Sequence, residues 1–100
     1  MLEHLAREQF AEYLNTTFKI YLTPDAAVEA ELIEVSEIRK RVRQEAFSLT
    51  FLALTDTAFE QAAYKIEHPV LGTDVLFMTP VERNERGIEY EVLFNRLTSD

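Results

Sequence analysis

Apolar residues recur along this chain with two different periods, and the change falls at Thr17. Before it, Leu2, Leu5, Ala6, Phe10, Tyr13 and Leu14 stand three and four positions apart, with Glu3, His4, Arg7, Glu8 and Glu12 on the other side. That spacing predicts an amphipathic N-terminal helix. Glu3 and Arg7 are ordered for an i,i+4 pair, and Asn15 followed by two β-branched threonines marks the stop.

From Thr17 the period is two. Phe18, Ile20 and Leu22 alternate with Lys19 and Tyr21 up to the turn Thr23-Pro24-Asp25. Val28, Ala30 and Leu32 continue in a second strand, and Ile33 and Val35 then occupy the opposite phase, which predicts one inserted residue, a β-bulge, near Leu32 and Ile33. Glu45 to Leu54 is apolar on both phases and reads as a central strand buried on both faces. Thr57 and Glu60 have capping-box spacing, so the stretch 55–61 is either a single helical turn or a loop.

Ala62, Tyr64 and Ile66 begin a hairpin that turns at His68-Pro69-Val70-Leu71-Gly72 into Val75, Leu76, Phe77 and Met78. Asn84-Glu85-Arg86-Gly87 makes the last reversal, after which Ile88, Tyr90, Val92 and Phe94 alternate with Glu89, Glu91 and Leu93. Connections this short favour antiparallel neighbours. The expected fold is mainly β (α+β): the helix, then a six-stranded antiparallel meander forming a curved sheet or half-open barrel over residues 1–100. Its expected core is Phe18, Ile20, Phe47, Leu49, Phe51, Tyr64, Ile66, Phe77, Tyr90, Val92 and Phe94.

Composition narrows the function more than it names one. The chain has no cysteine, which removes disulfides, thiolate nucleophiles and Cys-based zinc sites. No apolar run approaches the length of a membrane span and MLEHLAREQF is charged where a signal peptide is apolar, so a cytoplasmic, membrane-free protein is expected. A net charge of −8 disfavours nucleic acid.

Candidate chemistry is sparse. His4 and His68 have no metal-binding spacing, and Ser36, Ser48 and Ser99 have no paired base, so no cofactor, metal or catalytic residue is expected. Glu29 with Glu31 and Glu89 with Glu91 point to one face of their strands and read as solvated outer surfaces. His68, held extended by Pro69, sets the hairpin turn in one reading and forms a surface contact in the other. The local anomaly is Arg39, Lys40, Arg41 and Arg43. These basic residues are expected to lie exposed in a loop at the far end of the second strand, where they discourage edge pairing or steer an acidic protein partner. The candidate partner contacts are therefore Arg39, Lys40, Arg41, Arg43 and His68.

The N-terminal helix, Thr17-Phe18, the segment Glu45 to Phe51 and the stretch Tyr64-Lys65-Ile66-Glu67-His68-Pro69-Val70-Leu71-Gly72, followed by Tyr90 to Asn95, resemble a domain-of-unknown-function family of small bacterial proteins. The Tyr-x-Ile-Glu-His-Pro-x-Leu-Gly motif is the most specific part. The resemblance implies a stand-alone domain without known catalytic residues that keeps company with phage-tail-like collar fibre proteins. The basic run and Thr57 to Gln61 depart from the family pattern. The expected function is a non-enzymatic interaction module, an accessory or assembly factor for a tail-like or fibre protein. The alternative is a binder of small apolar ligands in a cavity lined by Phe18, Phe47, Phe51, Tyr64, Phe77 and Phe94.

Overall fold

The period-two pattern is realised as seven antiparallel strands. They are β1 (Thr17–Thr23), β2 (Ala26–Val35), β3 (Arg39–Arg41), β4 (Gln44–Ala53), β5 (Ala62–His68), β6 (Gly72–Asn84) and β7 (Gly87–Leu97). The structure, a computed structural model, describes residues 5–55 and 58–98. Around the molecule the order is β1, β2, β4, β7, β6, β5 and back to β1, so six strands close a barrel and β3 continues the course of β2 along β4. Among the described residues the helix shrinks to α1 (Arg7–Ala11).

The helix is short because its last turns tighten. Tyr13 and Leu14 donate to carbonyls three residues back, Asn15 takes a left-handed conformation with φ 67°, and its N–H turns away to the carbonyl of Leu32 at 2.7 Å. Capture by β2 thus replaces further helical bonding. Phe10 is buried and packs on Phe47 and Phe94, with ring centroids 6.2 and 5.4 Å away. Arg7 donates to the carbonyls of Ser36 (2.8 Å) and Val35 (3.3 Å) and to Glu37 (3.1 Å). Its expected partner Glu3, like Leu2 and His4, lies outside the described residues.

The predicted bulge is present: Leu32 pairs with Phe51 and Glu34 with Thr50, leaving Ile33 without a partner on β4. β4 is central, with β7 on one side and β2 and β3 on the other. Phe47, Leu49, Phe51 and Ala53 face the core, while Leu52 on the outer phase is buried between Glu31 of β2 and Glu89 of β7.

The meander does not hold. Between β4 and β5 the chain passes from one side of the barrel to the other, so β5 pairs with β1 and β4 pairs with β7. No helix forms at Ala58 to Gln61, and Thr57 of the expected capping box is outside the described residues. The crossing is pinned by Tyr90. Its ring stacks on Phe59 with centroids 3.9 Å apart, and its hydroxyl accepts from the Phe59 N–H (2.7 Å) and donates to the Phe59 carbonyl (3.1 Å). A buried tyrosine hydroxyl with both bonds made is stabilising.

Two core assignments change. Phe77 is 56% exposed and Leu76 and Met78 take its place inside. Tyr64 is only partly buried, packing edge-on against Phe59 at 4.9 Å. The four apolar residues Val75 to Met78 leave the phase of β6 undetermined in sequence, and pairing with β5 decides it. Phe51 lies fully buried against Phe18 at 5.0 Å, edge to face. Replacing Phe51 by Ala should destabilise the fold by about 3–5 kcal/mol, measured by denaturant unfolding. A wild-type midpoint would contradict this core.

Candidate functional site

The feature that distinguishes one face is a change of partner along β6. Residues 72–78 pair with β5, and residues 79–84 pair with β7. Pro80, which has no N–H to donate, stands opposite Tyr90, and Val81 is the extra residue of a bulge. Upstream of that point β6 and β7 part. A solvent-open groove of about 750 Å³ runs between Val75, Leu76 and Phe77 on one side and residues 92–97 on the other. Val75, Phe77 and Leu93 are each more than half exposed there, and Leu97 is 88% exposed.

The basic run borders this groove. Instead of the expected loop, Arg39 to Arg41 form β3, paired with Ala46, Glu45 and Gln44 of β4. The hairpin closes through Val42 and Arg43, with Arg43 at φ 60° and its carbonyl accepting from the Thr98 N–H at 2.9 Å. Because alternate residues face opposite sides, Arg39 and Arg41 share the outer face with Ala46, Gln44, Asn95 and Leu97, while Lys40 sits opposite Glu45 on the other. Arg39 and Arg41 line a depression of about 340 Å³ with Leu93 and Asn95, residues that also line the groove. All four basic residues of the run are exposed.

His68 belongs elsewhere. It is 4% exposed, so its side chain is not on the surface and the contact reading gives way to the turn-setting one. Nδ1 accepts from the N–H groups of Val70 (3.1 Å) and Leu71 (3.2 Å), which leaves the ring proton on Nε2, 3.1 Å from the Thr16 hydroxyl. Thr16 in turn donates to the Tyr13 carbonyl at 2.6 Å. Tyr13 and Phe18 pack on the ring at 5.0 and 4.5 Å. The imidazole therefore joins the segment after α1 to the β5–β6 turn, which Gly72 completes at φ 103°, a conformation suited to glycine.

In the acidic pairs Glu29 and Glu91 are exposed, while Glu31 and Glu89 have side-chain partners. Arg86 holds Glu31 at 2.9 Å, and Asn84 donates to Glu89 at 2.9 Å. Among the described residues no cluster of three or more His, Asp or Glu side chains has the arrangement to hold a metal ion. The space between α1 and the barrel is filled by Phe10, Phe47 and Phe94, and the guanidinium of Arg96 lies over the Phe47 and Phe94 rings at 5.2 and 5.0 Å.

The family model described as a domain of unknown function, DUF6916, matches residues 5–94. The chain belongs to that family. Neither a curated protein nor a solved structure matches it. The DUF6916 match takes in the His68 turn, β3 and the parting of β6 from β7 as far as Phe94. Among the described residues of this DUF6916 domain no helix is long and apolar enough to cross a membrane. Leu93 was legible as exposed, since it falls on the phase of Glu89 and Glu91. Phe77 gave no such signal.

Burial lowers the His68 pKa below its ordinary value near 6.5, and a proton on Nδ1 would face two N–H donors. The fold thus holds the neutral ring. As pH falls through the ordinary histidine range the unfolded chain takes up the proton first, so stability drops from there downwards. Between pH 7 and about 5.5 the wild type should lose more stability than His68→Gln, measured by urea unfolding. Equal losses would show that His68 is not held neutral.

Proposed function

We propose that this DUF6916 domain is a non-enzymatic interaction module that engages a protein partner through the face formed by β3, the end of β7 and the start of β6. The observation that carries the reading is the groove itself, where Val75, Phe77, Leu93 and Leu97 expose apolar surface beside Arg39 and Arg41. Contiguous exposed apolar surface rimmed by polar groups is the mark of an interaction site. On a chain of net charge −8, four clustered cations make a local positive field that speeds encounter with an acidic surface more than it tightens the final complex. The family resemblance supports an accessory or assembly role beside a tail-like or fibre protein, and the acidic, cysteine-free composition suits a cytoplasmic setting.

A photo-crosslinking residue at Leu93, compared with one at the exposed Lys19 of β1, tests this in cells that make the domain. Protein adducts should form from position 93 and be scarce from position 19. Reversing Lys40 and Arg41 to Glu should leave the melting temperature unchanged and slow adduct formation. The difference should shrink as salt rises past about 0.15 M in extracts, where the screening length falls to roughly 8 Å. Equal labelling from both positions, or unfolding on charge reversal, contradicts the reading.

A further inference from the structure

We propose that His68 is an acid-sensitive latch: the neutral imidazole holds the β5–β6 turn, residues 69–71, closed on the barrel, and uptake of one proton by the ring opens that turn while the barrel stays folded. This goes beyond the interaction reading above and does not rest on it.

The turn is held through one nitrogen. Nδ1 accepts from the N–H groups of Val70 (3.1 Å) and Leu71 (3.2 Å), and among the described residues neither N–H has another acceptor. Both bonds use the one lone pair of Nδ1, which is also its only place for a proton. A protonated Nδ1 is a donor facing two donors, so both contacts turn repulsive and both N–H groups lose their acceptor together. Nε2 behaves differently. Its N–H donates to the Thr16 hydroxyl (3.1 Å), whose own proton goes to the Tyr13 carbonyl (2.6 Å), and the charged ring makes that bond as readily as the neutral one. Turning the ring over gives no relief, because it would set a carbon before the two N–H groups and take Nε2 away from Thr16. Protonation therefore acts on the turn. The β5–β6 ladder from Ala62 and Met78 to Glu67 and Thr73 uses no ring atom and survives it.

The surroundings favour the uncharged ring. From the segment after α1, Tyr13 meets it edge-on with centroids 5.0 Å apart, and from β1 Phe18 lies at 4.5 Å. On β5 itself Glu67 points to the opposite face, beside Lys19 of β1, and accepts from the Tyr21 hydroxyl at 2.8 Å. On β6 Asp74 shares the phase of Gly72, the residue paired with His68, and its carboxylate accepts from the Val75 N–H at 2.7 Å. Among the described residues no carboxylate is hydrogen-bonded to the ring, which is 4% exposed, so burial prevails over charge. The turn is also free to move. Gly72, at φ 103°, has open space where a side chain would stand, Val70 is 66% exposed, and Leu71 packs only partly buried on the core. Opening brings the ring to water, where it titrates as an ordinary histidine, so the open-to-closed ratio rises about tenfold for each pH unit below the ordinary range until the open form prevails.

The test is an NMR titration of the full, nitrogen-labelled chain from about pH 7.5 to about pH 4.5. At the neutral end the ring nitrogens should report the proton on Nε2. As pH falls, both ring nitrogens and the amides of Val70 and Leu71 should move together on a one-proton curve, while the amides of β4 and β7 keep their positions. Exchange at residues 70 and 71, corrected for its intrinsic pH dependence, should gain about tenfold per pH unit below the histidine range. His68→Asn sets a side-chain oxygen, which does not titrate, to accept from the turn, so its turn should stay closed throughout. Thr16→Val removes the Nε2 partner and should keep the wild-type response, which separates the latch from the relay to Tyr13. The proposal is overturned if the ring protonates without moving Val70 and Leu71, or if those amides hold until the whole spectrum collapses. It is equally overturned if the neutral ring carries its proton on Nδ1, or if His68→Asn responds as the wild type does. Should His68→Asn fail to fold, the titrations of the wild type and of Thr16→Val decide the matter by the same criteria.

Discussion

The architecture depends on one constraint: β6 cannot continue to pair as it began. It follows β5 from Gly72 to Met78, and at Pro80 the donor that a ladder needs is missing while Val81 adds a residue to the register. A strand that meets such a break bends and its twist increases. Here the bend carries residues 79–84 onto β7, which is itself paired with β4 over Gln44 to Ala53. Closure of the barrel and the parting that exposes Phe77 and Leu93 are therefore two results of the same break.

The barrel's ends are sealed differently. At one, Phe59 and Tyr90 hold the crossing connection by a stacked pair and two hydrogen bonds. At the other, α1 is too short to be stable alone, and it is held by Phe10 in the core and by Arg7 on the carbonyls of Val35 and Ser36. The relay from His68 through Thr16 to Tyr13 fixes where that segment leaves for β1. These contacts are local to each end, whereas on the groove side, among the described residues, the pairing of β6 with β7 is confined to residues 79–84 and 87–91.

Local pattern was a sound guide wherever alternation was unambiguous. Phe18 and Ile20, Phe47 to Phe51 and Ile88 to Phe94 all took their expected phase, and the bulge at Ile33 was visible as a phase change. The pairing of β4 with β7 and of β5 with β1 was not visible, because alternation states which way a residue faces and not which strand lies beside it. Phe77 failed for a related reason, as four consecutive apolar residues carry no phase. The basic run was identified correctly as exposed but not as a strand, since Arg and Lys carry little β signal and the β4 edge imposes the conformation. His68 was rightly tied to its turn through Pro69, yet its bond to Thr16 spans 52 positions and leaves no local trace.

The central claim is that β6 and β7, paired from Thr79 and Glu91 to the Asn84–Gly87 turn, part on the Gly72 side of Pro80, where among the described residues no strand lies between them. Amide hydrogen exchange reads this directly, since amides without a partner exchange far faster than those in a ladder. Within residues 92–97, amides directed towards β4 should be protected and the alternate ones, directed into the groove, should exchange quickly. The same alternation should appear within residues 72–78. Uniform protection along either segment would mean that the edge is already paired and would contradict the account.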